Sequence, residues 1–200
     1  MKQIFDFTRF RSAPITRAAM GLLGFAMMLL LVPASQADGV DEVWLLVDTT
    51  DSSLSILEGD QILETYRNIS VGRRGTTLDK ITRDKKTPLG EYRVVRISDS
   101  STFHRFIGLD YPTPDQAERA LKKGIITFDQ YAAIHRAFEE GRTPPQNTPL
   151  GGYIGIHGIG EGDPWVHGSF NWTNGCIALT NEQVDNLQDR IAMGMKVVIR

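Results

Sequence analysis

The sequence predicts a mainly β protein with helices, an α+β chain built as a mixed β-sheet sandwich with a helical insertion and one helix packed after Cys176. Three observations predict this. Short apolar runs with strand-like alternation recur between Val43 and Ile97, separated by turn residues. Helical periodicity is confined to residues 113–141 and to the stretch after Thr180. The chain closes on another β-like run, Lys196 to Arg200. Two hundred residues make one domain plus an appendage, and 41% hydrophobic residues are enough for a sizeable core.

Taken in order, Val43 to Val47 (VWLLV) reads as a buried strand, turned by Asp51-Ser52-Ser53. Leu54-Ser55-Ile56 alternates as a half-buried strand does. Glu58-Gly59-Asp60 is the next turn, and Gln61 to Ser70 completes a meander. Val71-Gly72-Arg73-Arg74-Gly75 follows as a basic loop. Arg73 and Arg74 read first as charges of a solvated loop, and they are also candidates to hold a carboxylate. Glu91 to Ile97 is a strand, with Tyr92, Val94 and Arg96 on one face and Val95 and Ile97 on the other. Phe103 to Leu109 is another, ended by Tyr111-Pro112, with His104 and Arg105 as groove candidates.

Residues 113–141 break the β pattern. Thr113-Pro114-Asp115-Gln116 is a capping box with proline at the first helical position, and that helix runs to about Lys123 before Gly124. Thr127-Phe128-Asp129-Gln130 is a second box; Tyr131, Ile134 and Phe138 then form a buried stripe, with His135 off it and exposed. The helical hairpin is either a wall or lid beside a cleft or a packing subdomain. Arg142 to Thr148 is a polar, proline-rich connector, and Leu150 to Ile156 is a strand that delivers His157. Thr180-Asn181-Glu182-Gln183 caps the last helix, with Val184, Leu187 and Ile191 as its buried stripe and Gly194 as its stop.

Residues 1–37 have the pattern of a signal peptide. Lys2, Arg9, Arg11 and Arg17 give a basic start, Ala18 to Val32 is mostly apolar, and Ser35-Gln36-Ala37 offers small residues for cleavage. A retained anchor is the alternative, although the run is short for a membrane span. Cleavage would leave residues 38–200 as the working domain, in the periplasm or cell envelope. It removes four basic residues and one acid, taking the net charge from −2 to −5. Such a charge gives no basic field for nucleic acid.

The chemistry concentrates between His157 and Leu179, which holds the single cysteine, Cys176. A lone cysteine is by composition a small buried hydrophobe. In an exported protein it is an unpaired thiol, which marks it as reactive or as an intermolecular partner. A thiol attacks as its thiolate, and a nearby imidazole can take the proton and return it. His157, at the end of a strand, is the candidate base. Backbone N–H groups at Asn174-Gly175-Cys176 are candidates for the oxyanion. His167 reads as a solvated loop histidine. Trp165 and Trp172 either line a groove or pack within the loop. The spacings of His157, His167 and Cys176 match no common zinc pattern, so no metal is expected.

These residues resemble the L,D-transpeptidase catalytic domain family (YkuD-type). That family places His-Gly, a spacer in the mid-teens, then Ser/Thr-x-Gly-Cys and an apolar step. Here the His-Gly is His157-Gly158, and fifteen residues, Gly158 to Trp172, separate His157 from Thr173-Asn174-Gly175-Cys176-Ile177. A Thr-Pro-x-Gly turn entering a strand also matches, at Thr87-Pro88-Leu89-Gly90-Glu91-Tyr92. Asn174 stands where many members carry His or Arg, and Ala178 where many carry Arg. A branch with Trp-Thr-x-Gly-Cys-Ile-Ala is more similar. The resemblance covers roughly residues 42 to 200. It implies acyl transfer on peptidoglycan stem peptides through a thioester on Cys176, with His157 as base and backbone at Gly175 and Asn174 for the oxyanion. Thr173, Trp172, Gly158 and Arg73 would contact substrate. It implies no cofactor, a monomer, and a second stem or an envelope protein as acyl acceptor. A hydrolase on the same scaffold (amidase or L,D-carboxypeptidase) and a non-catalytic peptidoglycan-binding protein are the alternatives, and an envelope redox protein lacks a resolving cysteine.

Overall fold

The computed structural model describes residues 42–99 and 102–200. The leader expected over residues 1–37 lies outside the described residues.

Strands β1 (Val43–Asp48), β2 (Ser53–Glu58) and β3 (Gln61–Arg67) form the antiparallel meander that the turn residues imply. A parallel pair follows, β4 (Thr76–Thr77) with β5 (Thr87–Pro88). Then come β6 (Gly90–Ser98) and β7 (Phe106–Leu109), helices α1 (Pro114–Lys122) and α2 (Phe128–Glu139), and β8 (Gly155–His157). A short helix α3 (Pro164–Ser169), β9 (Ile177–Ala178), helix α4 (Asn181–Gln188) and β10 (Lys196–Ile199) complete the described domain. Eight strands make one mixed sheet in the order β3-β2-β1-β10-β6-β7-β8-β9. The sheet curls. Ser70, just past β3 at one end, exchanges backbone hydrogen bonds of 2.9 and 2.7 Å with Ala178 in β9 at the other. The last strand, β10, sits mid-sheet, parallel to β1 and antiparallel to β6.

The core lies inside this curl. Leu45, Val47, Leu54, Ile56, Tyr92, Val94, Ile107, Ile156, Ile177 and Val197 are all buried. Helix α4 adds Val184 and Leu187, each contributing about 1.5–3 kcal/mol by leaving water. Its capping box forms: Gln183 N donates to Thr180 Oγ1 at 3.1 Å and Thr180 N donates to Gln183 Oε1 at 3.0 Å.

Several local expectations shift. β2 is buried on both faces, because Ser55 is covered by β3 and its hydroxyl meets Thr65 Oγ1 at 2.9 Å. β3 stops at Arg67, where Asn68 turns to φ +60°. A register break between Val94 and Arg96 reverses the phase of β6, so Arg96 is exposed rather than beside Tyr92 and Val94. The run before His157 becomes strand only at Gly155, since Gly151 and Tyr153 hold φ of +82° and +55°. Helix α4 ends at Gln188, leaving Ile191 half-buried beyond it.

The hairpin of α1 and α2 forms where both capping boxes place it. Gln116 Nε2 donates to the Tyr92 hydroxyl at 2.5 Å, and Arg119 Nη2 to the Leu78 carbonyl at 2.9 Å. These contacts brace the 78–80 loop and β6, which is the packing role. His135 is half-buried, its ring tilted against Tyr131 with ring centroids 4.3 Å apart.

Candidate active site

Strands β8 and β9 pair in parallel, with Ile156 opposite Ile177 and His157 opposite Ala178. Side chains alternate along a strand. Ile156 and Ile177 therefore point into the core, both with no exposure. One rung back, Cys176 comes opposite Gly155, on the same face as His157. The two are diagonal neighbours on that face, and Gly155, the residue opposite Cys176, has no side chain to fill the space between them. A Cβ on Gly155 would lie 2.4 Å from the Ile107 carbonyl oxygen, so the sheet requires glycine there.

The loop before Cys176 is held from inside. Asn171 Oδ1 accepts from Val71 N at 2.9 Å, and Thr173 exchanges backbone bonds with Val71 and Arg73. The Thr173 hydroxyl donates to the Cys176 carbonyl at 2.7 Å and accepts from Gly175 N at 3.1 Å. Thr173 is 3% exposed, so it shapes the loop and does not face a substrate. Gly175 takes φ +137°, and a Cβ there would meet the Lys86 carbonyl oxygen at 2.7 Å. Its N–H is committed to Thr173. Asn174 is exposed, its side chain accepting from Arg73 Nη2 at 3.0 Å.

His157 is 2% exposed, enclosed by Phe103, Phe106 and Trp172 at ring-centroid distances of 4.3, 6.5 and 5.8 Å. Its Nδ1 lies 2.7 Å from the Gly158 carbonyl oxygen. A carbonyl only accepts, so Nδ1 carries the proton and Nε2 keeps its lone pair, the tautomer a general base needs. Burial lowers the pKa of His157, which keeps the ring neutral; the Gly158 bond opposes this. Gly158 is buried, and a Cβ on it would come 2.6 Å from Asn181 Oδ1. It serves the histidine rather than a ligand.

Cys176 is half-buried, with Sγ donating to the Tyr153 carbonyl at 3.4 Å. Crowding around the sulfur pushes the thiol pKa up, while a Gly155 backbone bond and the charge of Lys80 pull it down. The resting pair is thus a neutral thiol and a neutral imidazole. A cavity of about 840 Å3 opens over Cys176, lined by Arg73, Lys80, Arg83, Lys85, Asn174 and the 146–154 segment. No residue of α1 or α2 lines it, so the hairpin is not its wall.

Sequence reasoning missed two parts of this site. Lys80, 5% exposed, carries no local mark in the sequence beyond its spacing of four from Asp84. The connector after α2 and the stretch to Tyr153 looked like a linker and a strand, yet they form the far rim. Other expectations change too. His167 is buried, not solvated, and its Nδ1 accepts from Trp172 Nε1 at 3.4 Å. Trp172 in turn lines an apolar pocket of about 330 Å3 with Phe103, Ile159 and Val166. His104 and Arg105 both bind Asp185 of α4, at 2.9 and 2.5 Å, so they tie a loop to a helix. Arg73 is exposed on the cavity rim, and Arg74 does not line it.

The family model of the L,D-transpeptidase catalytic domain matches residues 42–199. Among solved structures, the chain is similar to Bd1075 of Bdellovibrio bacteriovorus, with 19% identity and a TM-score of 0.51 over 82% of this chain and 50% of that one. It is also similar to the helical cell shape determining protein Pgp2 of Campylobacter jejuni, with 23% identity and a TM-score of 0.52 over 81% of this chain and 48% of that one. At these identities the likeness is one of fold, and the chain spans about half the length of either structure. No curated protein matches the sequence.

Proposed function

We propose that this chain, which belongs to the L,D-transpeptidase catalytic domain family, performs cysteine-dependent acyl transfer on peptidoglycan stem peptides in the cell envelope. The observation that carries the reading is His157. Its proton is fixed on Nδ1 by Gly158, and its base nitrogen is left free on the sheet face it shares with Cys176.

In the proposed reaction the Cys176 thiol leaves the Tyr153 carbonyl and gives its proton to His157 Nε2. Sulfur attacks the carbonyl carbon at the L-centre of the donor's diamino-acid residue. A C–S bond forms, and the carbonyl oxygen becomes an oxyanion. Because the Gly175 N–H is spent on Thr173, the Cys176 N–H is the donor assigned to that oxyanion, with Asn174 and Gly175 setting its direction. The adduct collapses as the C–N bond breaks, and His157 returns the proton to the leaving D-amino acid. An acceptor amine, from another stem or an envelope protein, then attacks the thioester and releases Cys176. The cations around the cavity, Arg73 among them, suit the donor's carboxylates. Trp172 lines the neighbouring apolar pocket, where alkyl parts of the substrate fit. Export and a part in cell shape belong to the same proposal.

The experiment is to incubate the 38–200 form with tetrapeptide muropeptides and resolve the products by mass. Cross-linked dimers from the parent protein and none from Cys176→Ala are expected. Tripeptide product alone, with acceptor present, would replace the transferase by a hydrolase. No product from well-folded parent would overturn the reading in favour of a binding protein.

A further inference from the structure

We propose that Lys80 is a positioning residue for the nucleophile: its ammonium holds the Asn174 carbonyl and presents a fixed positive charge to the cavity that contains Cys176. Burying a lysine without partners is expensive, and a side chain 5% exposed must be matched inside the protein. The match is Asp84, whose Oδ1 accepts from Lys80 Nζ at 2.7 Å. Asp84 is itself clamped, Oδ2 accepting from Ile81 N at 3.0 Å and Oδ1 from Lys86 N at 3.0 Å. Burial works against the charge, but those bonds, with Lys80, outweigh it and hold the Asp84 carboxyl below the usual range.

The ammonium has three N–H donors. Asp84 takes one and the Asn174 carbonyl, at 3.5 Å, a second. The third remains for the cavity, in whose wall Lys80 stands. The approach to the Cys176 loop is close: a Cβ on Gly175 would sit 3.1 Å from Nζ and 2.7 Å from the Lys86 carbonyl oxygen. The 80–86 loop and the 173–176 loop are therefore packed backbone against ammonium, with glycine at the contact. The other cations of the cavity, Arg73, Arg83 and Lys85, are less enclosed than Lys80, so Lys80 carries the least screened charge there. Among the described residues the other ionisable groups around it are Asp84, already paired with Lys80, the exposed Tyr153 on the cavity rim, and His157 on the Cys176 sheet face, neutral at rest. A fixed cation here favours sulfur as thiolate and the anionic adduct that follows.

The proposal rests on Cys176 being a nucleophile, and its test needs no peptidoglycan. The rate of Cys176 alkylation by neutral iodoacetamide is followed against pH for the parent, Lys80→Met and Lys80→Arg, with folding checked by thermal melts. The Lys80→Met midpoint is expected about 1 pH unit higher than the parent's, and Lys80→Arg close to the parent's. An unmoved Lys80→Met midpoint overturns the proposal, as does a Lys80→Arg shift equal to that of Lys80→Met. If Lys80→Met does not fold, the parent decides. Its Lys80 15Nζ resonance, assigned by its loss in Lys80→Arg, should move as Cys176 titrates, and a static resonance overturns the proposal. A shifted alkylation midpoint in a protein that makes no acyl adduct would keep Lys80 in this role and remove the acyl-transfer reading.

Discussion

Replacing Thr173 by valine isolates the device that shapes the nucleophile loop. Valine keeps the volume and removes the hydroxyl. Two bonds go at once: the 2.7 Å donation to the Cys176 carbonyl and the 3.1 Å acceptance from the buried Gly175 N–H. Each partner is left desolvated and unpaired, at about 1–3 kcal/mol apiece. Because the loop can relax at the surface of Asn174, the expected total is about 2–4 kcal/mol. For a domain of this size that lowers Tm by about 5–12 °C. Thr173→Ser keeps the hydroxyl and loses one methyl group, about 1 kcal/mol. Calorimetry of the parent and the two variants, with the rate of Cys176 acylation measured below each Tm, checks both halves. Valine should slow acylation roughly tenfold or more, since the sulfur is no longer held on the His157 face, while serine should not. Equal Tm values for valine and serine, or equal acylation rates, would refute the argument that the hydroxyl holds this loop.

Other consequences are sharp enough to measure. Gly155→Ala puts a Cβ 2.4 Å from the Ile107 carbonyl oxygen and 2.7 Å from Phe106, so urea unfolding should show a loss of about 1–3 kcal/mol. Asn181→Ala removes a pair of 2.9 Å bonds to both backbone groups of Gly160, which tie the loop after His157 to α4. A loss of about 1–2 kcal/mol is expected, with the pH profile of acylation unchanged. The base must be neutral to accept the thiol proton, and burial lowers the His157 pKa. The acylation rate should therefore rise with pH through a limb centred below 6.5 and be fully present above it. A limb centred above 6.5 would contradict the buried, neutral histidine.

Local signals carried much of this structure. Each capping box is complete within four residues, so α1, α2 and α4 begin where Thr113, Thr127 and Thr180 place them. The meander is likewise local, its turns written in adjacent residues. Long-range pairing is not. Nothing near Lys196 says that β10 enters mid-sheet beside β1 and β6, and nothing near Val95 announces the register break that exposes Arg96. The site divides the same way. Cys176 and His157 stand out because a single thiol and a strand-end histidine have distinctive chemistry. Lys80 does not, because a buried lysine and a solvated one have the same letter. Only the packing of the 80–86 loop on the 173–176 loop tells them apart. His167 was hidden for a similar reason: its burial depends on Ser70, nearly a hundred residues away, whose hydroxyl donates to the His167 carbonyl at 3.0 Å. The cavity rim from Gln146 to Tyr153 reads as linker because its conformation comes from tertiary bonds, such as Tyr153 N to Gln146 Oε1 at 2.5 Å.

The most direct test of the account is the intact mass of the 38–200 form after incubation with a tetrapeptide donor or a carbapenem, beside Cys176→Ala and His157→Ala. The account predicts a covalent acyl adduct on the parent, none on Cys176→Ala, and much slower formation on His157→Ala. An unmodified parent with both reagents, in protein shown to be folded, would contradict it; so would an adduct that persists in Cys176→Ala.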